Sequence, residues 1–304
     1  MGVLRPCVIG TRGSALAMCQ AESVRKKLEE RYPDRPCTIR TIKAQADQNP
    51  ELPLVAMEGE GVFVKELEAA LLDGQVDLAV HSMKDLPLET PAGLCIAAVC
   101  ERQEPRDAFV SRAGCAFGQL PSGSRIGTSS PRRRSQLLRL RPELQVRDIR
   151  GNVDTRLRKL EEGQYDAIVL AACGLIRLGL ERRITAYLDV SQMLPEPGQG
   201  ALAIETRADD SKIRDMVGVL EDPVSRACVE AERSFLRALG GGCRVPIAAY
   251  ASCSDGILAL EGAVIAADGH DQRGGKLTGP VSEPIAIGER LAAQLTVQGA
   301  KALL

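Results

Sequence analysis

A cysteine follows three glycines in Gly240-Gly241-Gly242-Cys243-Arg244-Val245-Pro246. Glycine permits φ > 0 and lets another molecule approach the backbone closely. A thiol on such a turn can be a covalent attachment point, or it can fill a small apolar gap as most free cysteines do. A second constellation is basic. Gly127-Thr128-Ser129-Ser130-Pro131 runs into Arg132, Arg133 and Arg134, with Arg139, Arg141, Arg147, Arg150, Arg156 and Arg158 beyond. If this segment opens a helix, its free N–H groups, the hydroxyls of Thr128 and Ser130 and the first arginines converge on one anion. Arginine suits carboxylate because its fork donates two parallel hydrogen bonds. Arg150-Gly151-Asn152-Val153-Asp154-Thr155-Arg156 repeats the arrangement. Part of the run, such as Arg139 or Arg158, reads equally as a solvated helix face. Nucleic acid is a poor partner: aromatics make up 3%, Trp is absent, and the net charge is −1. Stacking platforms are therefore scarce and no global field attracts a polyanion. A small polycarboxylate or phosphate fits better. The third constellation is His81-Ser82-Met83-Lys84-Asp85 behind an apolar strand, where α/β proteins place site residues. Asp85 could accept from an N–H and stabilise a developing cation, and Lys84 could pair with a ligand acid. The alternative is an exposed Lys-Asp pair worth little. Gly198-Gln199-Gly200 allows close backbone approach but says little alone.

These segments need a scaffold, and 304 residues suffice for two or three domains with a sizeable core. The first half alternates strand and helix patterns, predicting α/β architecture with a largely parallel sheet. Cys7–Ile9 reads as a strand, Ser14 as an N-cap, and Ala17, Ala21, Val24 and Leu28 as one helix face. Thr38–Ala44 is a second strand, and 46–61 a mobile loop rich in acid, Pro and Gly. A helix over Val62–Leu72 and a strand over Val76–Val80 lead to His81. A second α/β unit starts near Glu104, with strands over Gly123–Thr128 and Asp166–Ala171. Pro131 sits in the first turn of one helix, and Asn152–Leu160 forms another. Ala201–Glu205 reads as a strand returning to the first unit. After Pro223 a helix carries Val224, Cys228, Ala231, Phe235 and Leu239. Strands between Val245 and Ala266 and a helix near Pro284–Leu304 complete a small α+β domain. The expected division is 1–100 with 199–219, then 104–194, then 222–304. Ten cysteines without a C-x-x-C pair point to a reducing cytoplasm rather than zinc or disulfides. With two histidines, His81 and His270, His-based triads and His-rich metal sites have little to work with. No run approaches a membrane span, and Met1–Pro6 lacks the apolar core of a signal peptide.

Together the motifs resemble the porphobilinogen deaminase (hydroxymethylbilane synthase) family. The strings that carry the resemblance are Thr11–Ser14, Gly61–Leu67, His81–Pro87, Gly127–Arg133, Arg150–Arg156, Tyr165–Gly179, Pro197–Gly200 and Gly-Gly-Cys243. They follow the family's order and spacing over nearly the whole chain, and only general character matches after about Ser252. The resemblance implies two α/β domains like those of periplasmic binding proteins around a cleft, and a third, small α+β domain. It implies a dipyrromethane cofactor, thioether-linked to Cys243, on which four porphobilinogens are deaminated and joined head to tail. The released product is the linear tetrapyrrole hydroxymethylbilane. By match, Asp85 is catalytic, and Ser82, Lys84, Thr128, Ser130, Arg132 and Arg133 join it in holding the cofactor. Arg12, Ser14, Phe63, Arg150, Arg156, Arg177 and Gln199 would handle substrate. The implied setting is a cytoplasmic monomer with no metal and neither nucleic-acid nor membrane partner, passing its product to the next enzyme of the pathway. Two departures stand out. Ala56 and Glu60 occupy loop places where the family often has lysine, and Pro131 stands where Leu is common. The rival reading is a non-catalytic anion sensor or carrier on the same kind of fold. Such a protein needs neither Asp85 nor a thiol, and a periplasmic carrier needs a signal peptide.

Overall fold

The computed structural model describes residues 5–43, 64–242 and 245–304. The expected loop 46–61, Phe63 and Cys243 lie outside the described residues. The chain divides into two compact units, Met1–Arg102 with Ala201–Arg226, and Gln103–Gly200 with Ala227–Leu304.

The chain begins with β1 (Cys7–Thr11), α1 (Ala15–Arg31) and β2 (Cys37–Thr41). Ser14 caps α1 by accepting from the Ala17 N–H at 3.3 Å, as its residue type predicts. The helix buries Ala21, Val24 and Leu28 against the sheet. Then come α2 (Lys65–Leu72), β3 (Leu78–Ser82) and β4 (Leu94–Val99). β3 starts two residues later than the sequence suggests. The Asp77 carboxylate accepts from the Val8 N–H at 2.8 Å, and Val76 packs beneath Gly10, so both precede the ladder.

The second unit holds β5 (Asp107–Ser111), β6 (Arg125–Gly127), α3 (Pro131–Leu140), β7 (Gln145–Arg147) and α4 (Val153–Glu161). β8 (Ala167–Ala171), α5 (Ala172–Arg177) and β9 (Ala186–Leu188) follow. The chain then returns through β10 (Leu202–Arg207) and α6 (Ser211–Val217) to the first unit. Last come α7 (Pro223–Ala238), β11 (Ile247–Ser254), β12 (Ile257–Ile265), β13 (Gln272–Pro280) and α8 (Pro284–Val297).

Among the described residues these strands form two five-stranded sheets, ordered β2-β1-β3-β10-β4 and β7-β6-β8-β5-β9, and a three-stranded sheet β11-β12-β13. The architecture is α/β with a small α+β C-terminal part, as expected. Parallel pairing is less extensive than the βα alternation suggests. β1 pairs in parallel with β2 and β3, while β10 runs antiparallel to both β3 and β4. In the second sheet β6 pairs in parallel with β7 and β8, while β5 is antiparallel to β8 and β9. In each sheet, one strand from the segments that join the units enters against the direction of its neighbours.

Two further differences are physical. Val224 is 49% exposed, because it lies in the first turn of α7 before the helix reaches the core built on Cys228, Ala231 and Phe235. β13 has no counterpart in the sequence reading. Its Gln-Arg-Gly-Gly-Lys-Leu-Thr-Gly-Pro run has one large apolar residue, and the ladder to β12 supplies the order that side chains do not. Among the described residues no helix is long and apolar enough to cross a membrane.

Candidate active site

In the first unit, β3 carries His81 and Ser82 to its C-terminal end and passes into a 3₁₀ turn over Met83–Asp85. Met83 anchors that turn. Its side chain is buried, its N–H donates to the Ala201 carbonyl at 3.1 Å, and its carbonyl accepts from Leu86 at 3.2 Å. Lys84 is thereby left half-buried and Asp85 exposed. A small pocket of about 60 Å³ opens beside the turn. It is lined by Arg12, Ser14, Gln20, His81, Ser82 and Asp85, with Leu16, Ala17, Val64, Leu67 and Val80 supplying apolar wall. Four of the residues chosen from sequence, Arg12, Ser14, Ser82 and Asp85, therefore share one pocket. Gln20 was not among them. From α1 its Nε2 donates to Ser82 Oγ at 3.0 Å and fixes that hydroxyl. Nothing in its sequence surroundings marks it, because Gln20 lies on the helix face that otherwise reads as core.

In the second unit, β6 ends at Gly127 and Ser130 caps α3, with Pro131 in its first turn. Ser130 Oγ accepts from the Arg133 N–H at 3.4 Å, and the Ser130 N–H donates to Thr128 Oγ1 at 3.2 Å. Ser129 bridges to the next turn, donating to the Ile149 carbonyl at 2.9 Å and accepting from its N–H at 3.1 Å. The two Arg-bearing turns are thus tied together. Arg156 Nε donates to the Gly151 carbonyl at 2.7 Å, and Arg150 is half-buried beside it. Gly151 has φ +108, and a Cβ there would come within 2.6 Å of the Thr155 side chain, so the turn requires glycine.

Arg132 and Arg133 point inward and bracket Asp107, the first residue of β5. Arg132 Nη1 donates to Asp107 Oδ2 at 2.8 Å and to the Leu194 carbonyl at 2.7 Å. Arg133 donates to Asp107 Oδ1 from Nε at 3.0 Å and Nη2 at 2.8 Å. Gln199 completes the cluster, with Nε2 donating to Asp107 Oδ1 at 2.9 Å and Oε1 accepting from Arg133 Nη2 at 3.3 Å. Asp107 is wholly buried and Arg132 is 2% exposed. Burial alone pushes a carboxyl pKa up, but here Arg132 and Arg133 outweigh it and hold Asp107 well below the usual carboxylate range. Sequence reasoning missed Asp107. Its partners lie 25, 26 and 92 positions away, and the only local signal is an acid heading the apolar run Ala108–Val110. Arg177 donates to Gln103 Oε1 at 2.6 Å and to the Gly200 carbonyl at 2.7 Å, one residue beyond Gln199. A Cβ on Gly200 would meet the Gln103 carbonyl at 2.5 Å, which accounts for the glycine after Gln199.

The donor set suits a group rich in carboxylates. Two guanidiniums share the Asp107 carboxylate, and Glu196 Oε2 stands 3.9 Å from Arg132 Nε. Among the described residues, Arg132 Nε and Nη2 have no hydrogen-bond acceptor. Thr128, Ser130 and the Arg150–Arg156 turn add hydroxyls and positive charge. A dipyrromethane, whose acids need such donors, fits this chemistry.

The buried cluster makes a stability prediction. Asp107→Asn removes the carboxylate that hydrogen-bonds both buried guanidiniums, leaving Glu196 3.9 Å from Arg132 Nε as the remaining acid, and should destabilise the chain by about 3–5 kcal/mol. Because the Asp107 pKa is depressed in the folded state, its contribution is fully present above the ordinary carboxyl range. It is lost as pH falls through that range toward the folded value. Urea unfolding of parent and variant between neutral and acidic pH measures both effects, and the gap between them should shrink on acidification. Equal midpoints at neutral pH would show that the cluster contributes nothing.

A family model described as porphobilinogen deaminase, dipyromethane cofactor binding domain, matches residues 7–215, and one described as porphobilinogen deaminase, C-terminal domain, matches 226–296. The porphobilinogen deaminase of Thiobacillus denitrificans is 50% identical over 296 residues, covering 97% of each chain. That of Thermus thermophilus is 48% identical over 302 residues, covering 99% of each. Among solved structures, a periplasmic sulfonate-binding protein from Methylobacillus flagellatus aligns at TM-score 0.41 and 12% identity, covering 79% of this chain and 69% of that one.

Proposed function

The chain belongs to the porphobilinogen deaminase family, and from that premise we propose how its residues divide the work. It is a transferase of tetrapyrrole synthesis that builds hydroxymethylbilane from porphobilinogen, and the sensor-or-carrier reading is not favoured. The carrying observation is the match of residues 7–215 to the cofactor-binding domain, together with near-full-length identity to named deaminases.

In this reading Cys243 holds the dipyrromethane through a thioether. The glycine run before it supports the assignment, with Gly240 at φ +73. When bound, the cofactor supplies a primer whose free pyrrole α-position accepts the first of four substrates. Every other part falls to the chain. Ser82, Lys84, Thr128, Ser130, Arg132 and Arg133 hold cofactor carboxylates with charge-assisted hydrogen bonds. Arg133 is also committed to Asp107 and Gln199, so part of its role is to keep that corner of the unit rigid. Arg12, Ser14, Phe63, Arg150, Arg156, Arg177 and Gln199 orient incoming or elongating pyrroles. Asp85 presents a fixed negative charge where loss of ammonia leaves a cationic pyrrole, a preorganised electrostatic role. The reading includes three domains, 1–100 with 199–219, 104–194 and 222–304. It also includes a monomeric chain in the cytoplasm, which hands its product to the next enzyme of the pathway.

The intact mass of the purified protein tests the premise. The expected value is the chain plus two pyrrole units. A bare-chain mass from a preparation that makes no tetrapyrrole would overturn it.

A further inference from the structure

Beneath the pocket lies a buried titratable cluster that the roles above leave unused. His81 Nε2 is 3.0 Å from Glu205 Oε2, with the two side chains 3% and 1% exposed. Glu205 comes from β10, where Ala203 stands opposite His81 in the antiparallel register. A second buried acid, Glu68, reaches the cluster from α2. Its pKa is raised by burial and then by the negative charge of Glu205, offset in part by His81 and Lys65. The bond to a carboxylate assigns the tautomer: Nε2 carries the proton and donates, which leaves Nδ1 with a free lone pair. Among the described residues Nδ1 makes no hydrogen bond. His81 also belongs to the wall that presents Asp85, Arg12, Ser14 and Ser82. A buried carboxylate behind an imidazole whose other nitrogen is free is the arrangement by which acid–base enzymes orient a base and stabilise its protonated form.

We propose that His81 is the proton acceptor of the carbon–carbon coupling step, with Glu205 as its positioning residue. The inference rests on the family reading above. Coupling joins the methylene carbon left by ammonia loss to the unsubstituted α-carbon of the preceding pyrrole. That carbon must then release its hydrogen as a proton, and the C–H electron pair restores the aromatic ring. His81 Nδ1 takes the proton while Nε2–H stays on Glu205, so the imidazolium forms against an existing anion. The ammonia released in the same cycle carries the proton away as ammonium. One C–C bond forms, one C–N and one C–H bond break, and no further reactant is required. Asp85 keeps a separate task, because a carboxylate that must stay ionised to stabilise a cation makes a poor proton store.

The test uses the full chain with cofactor loading verified by mass, as parent, His81→Gln and Glu205→Gln, and porphobilinogen deuterated at its unsubstituted α-carbon. Mass spectrometry follows successive additions, and from the second addition onward the hydrogen lost is the labelled one. For the parent, label should barely change the rate. His81→Gln should slow addition by about 10²-fold or more and expose a clear isotope effect. Glu205→Gln should move both readouts the same way by less. A second readout is independent of turnover: cofactor assembly from porphobilinogen uses the same coupling, so His81→Gln apo-protein should also gain cofactor mass more slowly. Loaded His81→Gln that adds substrate near the parent rate without an isotope effect would overturn the proposal. If that variant does not fold, Glu205→Gln with parent-like rates and no isotope effect overturns it instead. A parent that carries no pyrrole mass defeats the family reading; a loaded parent with an unaffected variant defeats this inference alone.

Discussion

Asp85→Asn, fully loaded with cofactor, should make tetrapyrrole about 10²–10³-fold more slowly than the parent, with its fold intact. The amide has nearly the shape of the carboxylate but no charge, so it cannot balance the positive pyrrole formed when ammonia leaves. The structure explains why the change should be local. The turn over Met83–Asp85 is anchored by buried Met83 and by its backbone hydrogen bonds to Ala201 and Leu86. Asp85→Glu should retain some activity, since the charge survives while its position moves by one methylene. The measurement is tetrapyrrole formed per loaded enzyme, with loading checked by mass and folding by thermal melting. If Asp85→Asn turns over near the parent rate when loaded, the acid is a surface group and another residue stabilises the cation.

Elements that carry the site motifs were legible in the sequence where local chemistry decides structure. Ser14 and Pro131 sit where capping and fixed φ place them, and the α1 stripe reads directly as a buried face. The site motifs are legible for the same reason, because each lies within a few residues at the end of one strand. Asp107 and Glu205 are of another kind. Each is an ordinary acid in an apolar strand until the fold brings its partner to it, across 25 positions for Arg132 and 124 for His81. Their roles depend on sheet order, and sheet order depends on two strands that run against their neighbours. β13 fails for a third reason. Its glycines carry no pattern, and a ladder partner makes it a strand. The arginines show how this changes a reading. From sequence, Arg132 and Arg133 are cations available to a ligand, whereas the structure shows them committed first to Asp107. Replacing either by Leu would therefore lower stability even without any cofactor, by removing one of the two guanidiniums that balance a buried carboxylate. Melting temperature alone cannot report cofactor binding at these positions, but mass can.

Cys243→Ser should purify as the bare chain, without two pyrrole units, and should make no tetrapyrrole. The thiolate is the reactive nucleophile in thioether formation, and a serine hydroxyl is a far poorer one, so the primer is never fixed. The apo chain should also melt lower than the parent, because a group held only by the folded state no longer stabilises it. The other cysteines make poor substitutes. Of the nine among the described residues, Cys7, Cys37, Cys100, Cys173 and Cys228 are buried. A thiol inside packed core cannot carry a dipyrrole with four carboxylates without exposing that core or stranding the acids. Cys19, Cys95, Cys115 and Cys253 are only partly buried, and Cys19 lies on α1, the helix that lines the Asp85 pocket. Cys19→Ser is therefore the informative control: it should keep the parent mass and turnover while Cys243→Ser loses both. A Cys243→Ser protein that still carries a full dipyrromethane and turns over normally would exclude this cysteine as the attachment point. If Cys19→Ser were bare in that case, attachment would move to α1.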